Sequence, residues 1–170
     1  MPLGSTMFIL VAVWGCVLAA HDLKWRTLPN RLTLGGAAVA LAVRLGYGGW
    51  GSLGDGFAAA AVAGGFLLVP FLLRGAGGGD VKMLFAAGAI AGWDRLLLLL
   101  WITSLAGVVM GVLMLAFGRL DGSRLRHGVR CLVDWRYDRA AGAAALPPRD
   151  SPRFRIPFSV PIAIGLLASL

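Results

Sequence analysis

The chain has 170 residues, 58% of them hydrophobic, and a mean hydropathy of +0.80. That much apolar sequence excludes an ordinary soluble domain of this size and points to an integral membrane protein. The net charge is +8, but the cations lie between apolar segments and not on one soluble face, which argues against a nucleic-acid partner and for anionic lipid headgroups.

Six apolar segments follow one another, at 7–20, 32–47, 57–73, 81–91, 96–117 and 156–170. The first lacks the basic start and cleavage site of a signal peptide and is expected to be a retained helix. Residues 1–6 are short and polar and are set aside. Several segments are shorter than the roughly 20 residues that span a bilayer. Either flanking residues complete them, or the helices stop short at a site. The third carries Pro70 near its end, and the fifth contains Gly107 and Gly111 at a spacing that lets helices approach closely.

The connections decide orientation. Lys24, Arg26 and Arg31 separate the first two segments, Arg74 and Lys82 flank the third break, and nine arginines lie in 118–155. The alternate connections, 48–56 and 92–95, contain only Arg95. The basic side is therefore cytoplasmic, and both termini are expected outside. Arg44 falls inside the second segment and is expected to snorkel to the outer interface, with a functional counter-ion role as the alternative. Within the long loop, 124–135 alternates apolar and basic residues at helical spacing. An interfacial helix on anionic lipid is the simpler reading and partner docking the alternative. Residues 140–152 are Pro-rich and expected to be flexible.

Cys16 and Cys131 form no CxxC pair, and His21 and His127 are isolated. No disulfide framework, metal site or cofactor is expected. All eight acidic residues are Asp. Six of them (Asp55, Asp94, Asp121, Asp134, Asp138 and Asp150) fall in connections and are expected to be solvated. Asp22 and Asp80 differ: one closes the first apolar segment and the other opens the fourth. Ionisable residues at membrane depth are costly and are functional candidates by default. Two carboxylates that meet across a bundle can share a proton and activate water, as in an aspartyl dyad. A proton- or ion-coupled transporter would use the same pair, although no internal repeat supports it. A catalytically silent assembly scaffold is a third possibility.

The surrounding residues add a resemblance. Asp22 is followed by Leu23-Lys24-Trp25-Arg26-Thr27-Leu28-Pro29-Asn30. This stretch resembles the first-aspartate motif of type IV prepilin peptidases, with Leu28 where Ile is usual. Gly77-Gly78-Gly79-Asp80-Val81-Lys82 is similar to their Gly-x-Gly-Asp motif, and Ile156-Pro157-Phe158 to the start of their last helix. Ser159-Val160 departs from that pattern, where Gly often appears. The ordered combination covers nearly the whole chain.

The resemblance implies an all-α integral membrane protein of six transmembrane helices forming a GxGD-type aspartyl protease bundle. It implies a single membrane peptidase domain, 1–170, with 118–155 as a basic cytoplasmic loop. The implied activity is removal of a short leader from prepilin-like precursors at the cytoplasmic (inner) membrane face, with Gly before the scissile bond and Glu shortly after it. Asp22 and Asp80 are the implied catalytic pair. Gly77, Gly79, Lys24, Lys82, Pro29 and Asn30 are expected to shape the site or contact substrate. The implied partners are a prepilin or pseudopilin helix, the bilayer and pilus assembly machinery. Larger relatives carry an N-terminal domain with two CxxC pairs and also methylate the product. This chain resembles the peptidase-only branch of tight-adherence (Flp) pili and archaeal flagellins, and is expected to cleave without methylating.

Helix dipoles give an expectation for the proton. Asp22 stands near the negative end of its own helix and Asp80 near the positive end of its own, which favours ionised Asp80 and protonated Asp22. Pro29 is expected to turn the chain and Asn30 to cap the second helix. His21 neighbours Asp22 in sequence but should not face it on a helix.

Overall fold

The computed structural model describes residues 4–25, 27–72, 76–118 and 158–170, together with Ser123, His127, Arg130, Val133, Asp134, Asp138 and Ala141. The described chain is helical: α1 (Ser5–Trp25), α2 (Asn30–Leu72), α3 (Gly78–Ala91), α4 (Trp93–Ala116) and α5 (Ser159–Ser169). Three of them, α1, α2 and α4, are long and apolar enough to cross a membrane. Their outer faces carry exposed Ile9, Val13, Val17, Leu97, Trp101, Leu105, Val108 and Val112. Such a surface suits lipid, where every backbone polar group must be satisfied inside the helix. The protein is a helical membrane protein.

α2 is two helical arms. Gly49 breaks it with φ 66° and ψ −163°, a conformation that residues with a Cβ rarely adopt. Arg44 and Asp55 then meet at 3.2 Å, although eleven residues of continuous helix would separate them by about 16 Å. The chain therefore reverses at Gly49, into arms 30–48 and 50–72. The expected loop at 48–56 is helical apart from this one glycine. Gly92 (φ 78°) makes the corresponding break between α3 and α4.

The core joins Leu18 of α1, Ala59, Ala63 and Leu67 of α2, Met83, Leu84 and Ala87 of α3, Leu96 and Leu99 of α4, and Ile162, Ala163 and Leu166 of α5. Small residues set the spacing. A Cβ built on Gly88 would stand 2.7 Å from both the Ala59 carbonyl oxygen and the Ala63 Cβ. Gly107 packs on the Phe158 ring, and Gly165 on Thr103, so α4 and α5 run antiparallel in close contact.

Two arginines cap helix ends at the Gly49 end of the bundle. Arg44 does not snorkel. Its Nε donates to the Ala89 carbonyl at 2.7 Å, and its other nitrogens reach the Ile90 carbonyl and the Asp55 carboxylate. The last carbonyls of a helix have no intrahelical partner, so a cation there satisfies both hydrogen bonding and dipole. Asp55, expected to be solvated, lies in the second arm of α2 and also accepts the Trp93 amide. Arg95 donates to the Ser169 and Leu170 carbonyls. A lateral cavity of about 1090 Å³ opens at this end, between α1, α2 and the α3–α4 turn, lined by Trp14, Val39 and Arg44 among others. Neither Asp22 nor Asp80 lines it.

Candidate active site

The opposite end of the bundle holds both motif aspartates. α3 has only 14 residues, about 21 Å of helix, and α5 has 11, about 16 Å. α3 is thus shorter than the roughly 30 Å hydrocarbon core. Phe158, just before α5, lies level with Gly107 of α4, nine residues before that helix ends. The start of α5 is thus recessed by about 13 Å from the end of α4. Asp22 meets α5 at this recessed level.

Asp22 is 7% exposed and Asp80 6%. Leu18, one turn before Asp22, and Leu84, one turn after Asp80, belong to the same core cluster. Helix periodicity stacks residues i and i+4 on one face, so both aspartates continue faces that meet in that cluster.

Asp80 sits in the first turn of α3, with Gly77 as the N-cap residue. The Gly77 amide donates to Asp80 Oδ2 at 2.9 Å. Gly77 has no side chain to return the bond, so this is the carboxylate half of a capping box. A carboxylate there satisfies one of the amides a helix start leaves open.

Asp22 receives a bond from another helix. Ser159 Oγ donates to Asp22 Oδ2 at 2.5 Å, with both residues buried. Ser159 is the first residue of α5. Asp22 therefore stands near the C-terminal end of α1 and against the N-terminal end of α5. The dipole argument from α1 alone is incomplete, because α5 opposes it. Sequence reading did not place Ser159 in the site; its one signal was that it stands where the resembling pattern often has Gly.

The two motifs fold onto each other. A Cβ on Gly79 would stand 2.8 Å from Leu28 Cβ, so only glycine admits this approach of the Leu28-Pro29 turn to α3. Lys82 Nζ donates to Asn30 Oδ1 at 2.8 Å. Asn30 thus spends its side-chain oxygen on Lys82 and does not cap α2 as expected. The Pro29 carbonyl instead accepts the Leu32 and Thr33 amides. Thr33 Oγ1 donates back to the same carbonyl at 3.3 Å.

The structure links Gly77 with Asp80, Gly79 with Leu28, and Lys82 with Asn30, while Pro29 accepts only within its own turn and the start of α2 among the described contacts. Lys24 is not drawn in: its ammonium lies over the Trp25 ring, 4.4 Å from the centroid, on the exposed side. His21 Nδ1 meets the Thr27 carbonyl at 2.7 Å and its ring lies against Trp25, so it braces the turn after Asp22. A carbonyl only accepts, so Nδ1 carries the hydrogen in this contact. Arg26, Arg74 and most of the 118–155 loop, with its expected interfacial helix and flexible segment, lie outside the described residues.

Residues 9–112, more than half of the chain and including both aspartates, match the model of the type IV leader peptidase family. The chain belongs to that family. A curated relative, the prepilin leader peptidase/N-methyltransferase of Aeromonas hydrophila, is 36% identical over 121 residues, covering 65% of this chain. The chain spans 41% of that relative's length. No solved structure matches the chain significantly.

Proposed function

We propose that the chain is a membrane-embedded aspartyl endopeptidase that removes the leader from type IV prepilin-like precursors, with Asp22 and Asp80 as its catalytic pair. The observation that carries this reading is the folding of the two motifs onto each other, Leu28 on Gly79 and Asn30 on Lys82, beside two buried aspartates on helices that share one core. The six helical segments, counting both arms of α2, would each cross or enter the inner membrane. The basic connections would face the cytoplasm and both ends of the chain the outside. The aspartates would then lie on the cytoplasmic side, recessed below the surface.

Two close carboxylates do not ionise together readily and share one proton. In this mechanism ionised Asp80 takes a proton from water as the water oxygen bonds to the scissile carbonyl carbon. Asp22 gives its proton to the carbonyl oxygen. As the resulting diol collapses, the C–N bond breaks and the leaving nitrogen takes the proton from Asp80. Asp22 recovers one from a diol hydroxyl, which restores the starting state. The substrate's apolar helix would sit laterally in the bilayer against the bundle, with its scissile bond at the recessed aspartate end.

The proposed substrate is an Flp-type prepilin, and the proposed reaction of this chain is cleavage without methylation. Pilus assembly machinery would receive the product. The test is co-expression with a tagged Flp-type prepilin and mass analysis of the product. Leader loss without added methyl mass supports the proposal. Methyl addition by this chain alone refutes the second part. An intact prepilin alongside aspartate-dependent proton flux favours a transporter.

A further inference from the structure

Ser159 is fully buried at the first position of α5, and its hydroxyl meets Asp22 Oδ2 at 2.5 Å across 137 residues of sequence. Asp80 Oδ2 has a partner of different chemistry, the Gly77 amide. An amide N–H only donates, so the oxygen it holds must remain an acceptor. A serine hydroxyl donates and accepts. Turning about its C–O bond, it can donate to a carboxylate or accept from a carboxylic acid. One aspartate is therefore bonded to a group that tolerates a proton arriving and leaving. The other has an oxygen fixed as an acceptor.

We propose that Ser159 is the positioning residue for Asp22, holding its carboxyl in one orientation in both protonation states so that Asp22 serves as the proton-donating member of the pair. This rests on the peptidase reading above. Ser159 itself need not touch substrate. A buried carboxyl without this partner would turn about its side-chain torsions between steps, and proton delivery would lose its direction. The described part of α5 carries no ionisable side chain, so the hydroxyl is the only hydrogen-bonding side chain that this helix offers at its recessed end. Its other polar side chain, Ser169, lies at the far end and donates to the Leu166 carbonyl.

The experiment uses the purified full chain in detergent, cleaving a tagged type IV prepilin, with Ser159→Ala, Ser159→Gly, Ser159→Thr and the control Ser169→Ala. Loss of one such hydrogen bond should lower kcat about tenfold in Ala and Gly with KM unchanged. Thr, which keeps the hydroxyl, should recover most of the rate, and Ser169→Ala should match wild type. Infrared difference spectra give a second readout that needs no turnover: the Asp22 carboxyl band, assigned by its loss in Asp22→Asn, should shift in Ser159→Ala. Wild-type kcat in Ser159→Ala, a loss confined to KM, or an unmoved carboxyl band would overturn the proposal. Failure of the underlying peptidase reading is distinguishable, because it would appear as no cleavage by the wild-type chain, or as cleavage surviving in Asp22→Asn.

Discussion

Lys82 and Asn30, 52 residues apart in sequence, are joined at 2.8 Å between ammonium and amide oxygen. The bond ties the start of α2 to the first turns of α3, and so holds the motif that follows Asp22 against the motif that contains Asp80. Lys82→Met and Asn30→Ala should each lower kcat/KM by about three- to tenfold, the scale of one hydrogen bond. The double variant should lose little more than either single one, because both remove the same contact. Additive losses in prepilin cleavage would mean that each side chain works separately.

Gly79 and Leu28 make a steric version of the same contact. Gly79→Ala puts a Cβ 2.8 Å from Leu28 Cβ and must push the turn away from α3. Overpacking of this kind costs about 1–3 kcal/mol. Cleavage should fall more than tenfold, and Leu28→Gly in the same chain, which removes the clashing Cβ, should restore part of it. A Gly79→Ala variant at wild-type rate would show that the turn tolerates displacement.

Arg44 supports the far end of the fold. Replacing it with Met strands the Ala89 and Ile90 carbonyls and the Asp55 carboxylate, whose side chain is 41% exposed and so regains water. Lost hydrogen bonds to a charged donor cost about 1.5–3 kcal/mol. Arg44→Met should therefore lower the Tm in detergent by several degrees, and Asp55→Asn by less. Cleavage per folded molecule should persist, since neither residue approaches the aspartates. A snorkelling arginine would leave the Tm unchanged.

Much of this architecture is legible in the sequence, for physical reasons. Each of the six apolar runs overlaps one of α1, the two arms of α2, α3, α4 and α5, because burial in lipid demands both apolar side chains and closed backbone hydrogen bonding. Their ends are less legible. Glycine-rich 48–56 resembles a loop by composition, yet only Gly49 takes a positive φ and the remaining residues stay helical. Asp22 and Asp80 stand out because charge at membrane depth is costly. Ser159, Arg44 and the Asn30–Lys82 bond do not, since each depends on which helices meet, and one chain's periodicity carries no such information.

Gly88 and Gly65 separate packing from composition. A Cβ on Gly88 meets the Ala59 carbonyl at 2.7 Å, whereas one on Gly65 meets nothing within 4 Å. Gly88→Ala should destabilise the bundle by about 1–3 kcal/mol as α3 moves off α2. Gly65→Ala should be neutral or slightly stabilising, from alanine's better helix propensity. Thermal unfolding of the two variants in the same detergent checks the contrast, and equal Tm values would contradict the α2–α3 packing.

The most direct test of the central claim is single-turnover cleavage of a purified type IV prepilin by the wild-type chain, Asp22→Asn and Asp80→Asn, each shown by thermal unfolding to be folded. The account predicts release of the leader by the wild type and at least a thousandfold slower release by each variant, because neither half of the pair can complete the proton exchange alone. A folded variant of either aspartate that still cleaves at close to the wild-type rate would contradict the dyad.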